Sequence, residues 1–128
     1  MNAIPHISEA ELEVMKVLWS SEQLTSAQII EILSGRTDWK PKTIQTLITR
    51  LTAKGAISAQ KTDSKAYLYR AAVSQEQYTE NANRSFLNRV YNGSLHLMLT
   101  NFIKGQKLTY QEIKQLRSLL DEEEKRHE

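Results

Sequence analysis

Between Lys40 and Gly55 the chain reads KPKTIQTLITRLTAKG, and six of its side chains suit contact with a polyanion: Lys42, Thr43, Gln45, Thr46, Thr49 and Arg50. Hydroxyls, a carboxamide and cationic groups are the types that bond phosphate oxygens and the edges of base pairs. No acid interrupts the set. Ile44, Leu47, Ile48 and Leu51 recur at i, i+3, i+4 and i+7, so a helix gathers them on one side and leaves the polar set on the other. Pro41 fits the first helical turn, where its missing amide hydrogen is no loss. Gly55 fits a left-handed stop after Lys54. A helix apolar behind and Lys/Thr/Gln/Arg in front is the pattern of a DNA recognition helix.

The charge distribution points the same way. The chain of 128 residues carries only +2 overall, but the stretch from Arg36 to Arg70 holds eight bases against two acids, a local +6. The remaining residues sum to −4. A positive field beside an acidic remainder fits a phosphate-binding surface. An uneven solvated surface would give the same numbers, so the field alone does not decide.

The flanking sequence supplies the elements that would hold such a helix. Ser8-Glu9-Ala10-Glu11 is a capping box that opens a helix through about Trp19, with Leu12, Met15, Leu18 and Trp19 facing inward. Thr25-Ser26-Ala27-Gln28 opens a second, burying Ile29, Ile30 and Leu33 and ending at Gly35. After the polar helix, Ala56 to Lys61 and Ala66 to Arg70 read as short strands around the turn Thr62 to Lys65. Three helices and a hairpin make a winged helix-turn-helix. Its third helix enters the major groove and its wing reaches flanking phosphates or the minor groove. Lys61 and Lys65 flank the wing turn and are the candidates for that contact.

Beyond a junction at Ala71 to Gln75 the pattern is purely helical. Tyr78, Ala82, Phe86, Leu87 and Val90 line one helix, stopped at Asn92-Gly93; Leu95, Met98, Leu99, Phe102 and Ile103 line the next, stopped at Gly105. Thr109 to Glu112 is another capping box, followed by Ile113, Leu116, Leu119 and Leu120, and the acidic tail DEEEKRHE is expected to be frayed and solvated. Three short helices rarely bury enough surface alone. Either two copies pack together or the segment packs on its own N-terminal domain; two-fold doubling of a short DNA site favours the homodimer. The expected fold class is mostly α with a small β-hairpin. An N-terminal winged helix-turn-helix, residues 1–72, would precede a C-terminal helical dimerisation domain, residues 73–128. Dimerisation would rest on Phe86, Leu87, Val90, Leu95, Met98, Leu99, Phe102, Ile113, Leu116 and Leu120.

Several classes are disfavoured. There is no cysteine, so disulfides and thiolate metal sites are excluded. His6, His96 and His127 show no ligand spacing, the glycines form no phosphate loop, and no nucleophile–base arrangement can be argued. No catalytic residue, metal or cofactor is expected, and the chain reads as a non-enzyme. It has no apolar run long enough to span a bilayer and no basic-then-apolar leader, so a cytoplasmic protein without membrane insertion is expected.

Three stretches carry a resemblance. ISEAELEVMKVLW, WKPKTIQTLITRLTAKGAI and SFLNRVYNGS followed by LMLTNFIKG are similar to the penicillinase and methicillin-resistance repressor family, from Ile7 to about Leu120, the P-K-T-I-x-T-L-I-x-R-L core being the most specific part. The resemblance implies a dimeric winged-helix repressor of resistance genes that binds palindromic, double-stranded operator DNA. It also implies inactivation by cleavage, triggered through a membrane-bound, β-lactam-sensing metalloprotease pathway. Carried over by position, the family's recognition-helix contacts fall on Lys42, Thr43, Thr46 and Arg50, and its scissile bond on Asn101-Phe102. The copper-responsive branch ends in a cysteine-rich motif that this chain lacks. The rival readings are a winged-helix protein-interaction module and a repressor of non-resistance genes that answers another signal.

Overall fold

The computed structural model describes residues 4–105 and 107–128. Its elements are α1 (Glu9–Trp19), α2 (Ser26–Ser34), α3 (Pro41–Lys54), β1 (Ile57–Lys61), β2 (Tyr67–Ala71), α4 (Gln75–Tyr91), α5 (Leu95–Gly105) and α6 (Tyr110–Arg126). The fold is mostly helical with one antiparallel hairpin, as the sequence predicts. Packing divides the chain within α4: one compact unit ends at Ala82 and the other runs from Asn83 to Glu128.

In the first unit, local signals set the helix ends. Ser8 and Thr25 cap α1 and α2 through reciprocal bonds with Glu11 and Gln28. α3 has no side-chain cap; it starts with Pro41 and stops at Gly55, whose φ of 85° is the left-handed geometry glycine permits. Ile44, Leu47, Ile48 and Leu51 of α3 then meet Val14, Met15, Val17 and Leu18 of α1 and Ile29 and Leu33 of α2 in one core. Ile57 and Ala56 extend that core towards the hairpin. Within α1 the residues buried most completely include Val14 and Val17; Leu12 and Trp19 pack at its margin. On α2, Ile30 is half-buried rather than buried.

The hairpin pairs Ile57 with Ala71 and Lys61 with Tyr67. Leu24, in the α1–α2 connection, adds a single bridge: its N–H donates to the Tyr69 carbonyl at 3.0 Å, and the Tyr69 N–H donates back at 2.8 Å. This bridge ties the wing to the first two helices. The connection after β2 is also fixed. Val73 is buried, and its carbonyl accepts the Trp19 indole N–H at 2.9 Å. Ser74 and Gln77 form a further capping box that starts α4, and Tyr78 packs against Trp19 with ring centroids 5.6 Å apart and the planes tilted by 40°.

In the second unit the helix stops fall where expected. Asn92 and Gly93 adopt φ of 51° and 84°, and the Ser94 hydroxyl accepts from the Leu97 N–H to start α5. Thr109 and Glu112 cap α6. The expected frayed tail is corrected: α6 continues to Arg126, with an ion pair from Arg126 to Glu123 one turn back at 3.1 Å. Lys125 and Arg126 in the last turn also oppose the negative end of the helix dipole.

Candidate nucleic-acid interface

The polar face of α3 is open. Lys42, Thr43, Thr46, Thr49 and Arg50 are exposed and Gln45 is half-buried, while the four apolar residues behind them are at most 5% exposed. Lys42, Thr46 and Arg50 stand four residues apart and so line one ridge of the helix. Thr46 and Thr49 are not free rotors. Each hydroxyl donates to the carbonyl one turn earlier, Lys42 and Gln45 respectively, at 3.0 Å. Their hydroxyls are therefore left to the outside as acceptors, and the donors on this face come from Lys42, Thr43, Gln45 and Arg50.

The wing places Lys61 at the end of β1 and Lys65 in the turn, both exposed. The turn is held by the Thr62 hydroxyl, which donates to the Ala66 carbonyl at 2.6 Å and lies 2.9 Å from Ser64 Oγ. Lys61 and Lys65 thus project from a braced loop, with exposed Asp63 between them.

One base in the positive stretch is spent elsewhere. Lys54 Nζ donates to the Glu11 carboxylate and, at 3.0 Å, to the His6 carbonyl. Glu11 is the one buried charged residue among those described, 2% exposed. Burial pushes its pKa up. The Lys54 hydrogen bond, the bonds from Ser8 and the Lys54 charge outweigh that and hold it below the ordinary 4.5. Sequence reasoning missed this pair, because nothing local connects residues 43 positions apart.

Residues singled out in the other unit lie on α4, α5 and α6. Asn101 and Phe102 are both exposed on α5, Phe102 at 57%. Phe86, Val90, Leu95, Leu99, Ile113, Leu116 and Leu120 are exposed; Leu87 and Met98 are half-buried. Leu97 and Tyr110 are exposed apolar positions that the helical stripes did not single out. Among the described residues no group of His, Asp and Glu could hold a metal ion, and no helix is long and apolar enough to cross a membrane.

Comparison with known proteins adds four likenesses. The sequence profile of the family described as Penicillinase repressor matches residues 7–122. A penicillinase repressor from Bacillus licheniformis is 41% identical over 126 residues, covering 98% of each chain. The methicillin resistance regulatory protein MecI of Mammaliicoccus sciuri is 38% identical over 120 residues, 94% of this chain and 97% of that one. Among solved structures, the B. licheniformis BlaI monomeric form in complex with the blaP half-operator aligns at a TM-score of 0.54 and 41% identity. That alignment covers 61% of this chain and 94% of the other.

Proposed function

The chain belongs to the penicillinase repressor family, and from that premise we propose that it is a cytoplasmic, dimeric transcriptional repressor that binds palindromic operators of β-lactam-resistance-type genes. The observation that carries the reading is the open, acid-free face of α3, backed by a closed apolar core. The half-operator in the solved BlaI complex supports it. Lys42, Thr43, Gln45, Thr46, Thr49 and Arg50 contact the operator from α3, and Lys61 and Lys65 hold flanking phosphates. The exposed apolar residues of α5 and α6 are covered by a second copy, which doubles the half-site.

Relief comes from a cut at Asn101-Phe102, triggered through a membrane-bound β-lactam-sensing metalloprotease pathway. Cutting there separates α6 and the end of α5 from the rest of the dimerisation unit. Operator occupancy then falls with the reading helix intact. Because a protease needs extended backbone, this turn of α5 must open before it is cut.

Salt-dependent binding to duplex DNA tests the first part. Arg50→Ala should cost about 1–3 kcal/mol of discrimination if the guanidinium reads a base. Lys61→Ala should weaken all sequences alike and lower the salt slope by about one. A protein-interaction module would show neither. Mass spectrometry of the repressor from β-lactam-treated cells tests the second part, with a fragment ending at Asn101 expected. Derepression with the chain intact would assign the signal to another route.

A further inference from the structure

The contact between Glu11 and Lys54 joins the two ends of the reading apparatus that matter for its angle. Glu11 lies in the first turn of α1, with its side chain 3% exposed; Lys54 is the last residue of α3, with its side chain 32% exposed. The carboxylate oxygen that takes the Lys54 ammonium also accepts the Ser8 N–H at 2.9 Å. The ammonium in turn donates to the His6 carbonyl. Lys54 is thereby anchored at two points, the His6 carbonyl just before α1 and the Glu11 carboxylate within it, and α3 is pinned at its C-terminal end. Apolar packing alone lets one helix roll or slide on another by small amounts, whereas a buried charge must keep its partner. The pin therefore resists motions that the core tolerates.

We propose that Glu11 and Lys54 form a strut that sets the angle at which α3 is presented to DNA, and that Lys54 makes no phosphate contact of its own. Both are positioning residues: they act through Lys42, Thr46 and Arg50. The inference rests on the DNA-binding reading. It also sets Lys54, whose ammonium is taken up by Glu11, apart from Lys42 and Arg50 on the open face of α3 and from Lys61 and Lys65 on the wing.

The test uses the full chain and two probes: a duplex selected from a random library by the wild-type protein, and a scrambled duplex of equal length. Wild-type protein that binds neither in a salt-dependent way overturns the DNA-binding reading itself, before any variant is compared. The decisive variant is the double substitution Glu11→Gln with Lys54→Met. It removes both charges, leaves no orphan carboxylate and keeps an oxygen at residue 11 for the Ser8 N–H. Active fractions are fixed by stoichiometric titration, so that loss of folded protein is not read as loss of affinity. The expected result is about a tenfold weaker grip on the selected duplex, with scrambled binding and the slope of log K against log salt unchanged. Lys54→Arg, which keeps the ion pair, should restore wild-type discrimination. A slope reduced by about one would make Lys54 a phosphate contact and overturn the proposal. Unchanged affinity of the active double variant for the selected duplex would reduce the pair to a structural role and overturn it equally.

Discussion

Fourteen hydrophobic side chains are buried between Ile7 and Val73, whereas α5 and α6 bury none among the described residues. Yet the helices of both regions carry clear apolar stripes. In the first region the stripes of α1, α2 and α3 converge on one another, and Tyr69, Ala71 and Tyr78 close the margin. In the second, Phe102, Leu116, Leu119 and Leu120 stay exposed, although Phe86 and Tyr91 do meet edge to face. An amphipathic pattern therefore specifies that a face will be covered, not which chain will cover it. On the reading proposed above, the first region is a finished domain and the second is half of one.

The strongest attempt to break this contrast is to separate the two regions. A fragment ending at Ala82 keeps Val73 and Tyr78, and so should fold and sediment as a monomer. It should bind a palindromic operator about 10²- to 10⁴-fold more weakly than the full chain, because the second half-site is no longer tethered. Undiminished affinity of the fragment would remove the second region from operator binding.

Matched truncations sharpen the contrast further. Ile48→Ala empties part of a closed core and should cost about 2–5 kcal/mol in urea unfolding of that fragment. Leu99→Ala should leave unfolding of the first unit unchanged. It should weaken self-association by up to about 1.5–3 kcal/mol, if a second copy fully covers the side chain. Sedimentation of Leu99→Ala as an unaltered dimer would place the interface elsewhere.

Acid provides the mildest discrimination. Glu11 and Glu112 are both held below the ordinary 4.5, Glu112 by bonds from the Thr109 backbone and side chain. Their contributions are complete above 4.5 and decline as pH falls through the lower folded values. For Glu11 the loss reaches an ion pair whose carboxylate is buried and should lower the unfolding midpoint of the first unit. For exposed Glu112 it should only loosen the start of α6. Thermal melts between neutral pH and pH 3 would measure both, and Glu11→Gln should flatten the first response.

What was legible in the sequence was mostly local. Ser8, Thr25 and Thr109 are bonded to residues three positions ahead, Pro41 and Gly55 bracket α3, and Asn92-Gly93 stops α4, so short windows contain the cause of each boundary. Ser74 to Gln77 has the same spelling as the other capping boxes but falls in a stretch that reads as a junction, and it starts α4 earlier than the apolar stripe does. The Leu24–Tyr69 bridge, the Trp19–Val73 bond and the Glu11–Lys54 pair join distant positions, and composition and period carry no signal for them. The acidic tail looked unstructured because its charges were counted rather than placed; helical spacing sets Glu123 beside Arg126. The face of α3 was legible by type, but not the back-bonding that turns Thr46 and Thr49 into acceptors.

Both tryptophans of the chain, Trp19 and Trp39, lie in the unit that ends at Ala82. Trp19 has its indole N–H engaged and a tyrosine ring against it, and Trp39 is half-buried just ahead of α3. Indole fluorescence of the unlabelled protein is consequently blind to the other half of the molecule. Far-ultraviolet circular dichroism, in contrast, weighs every helix. Recorded together during a melt, the two signals form separate channels, and a gap between their midpoints would time the loss of α5 and α6 against the loss of the reading head.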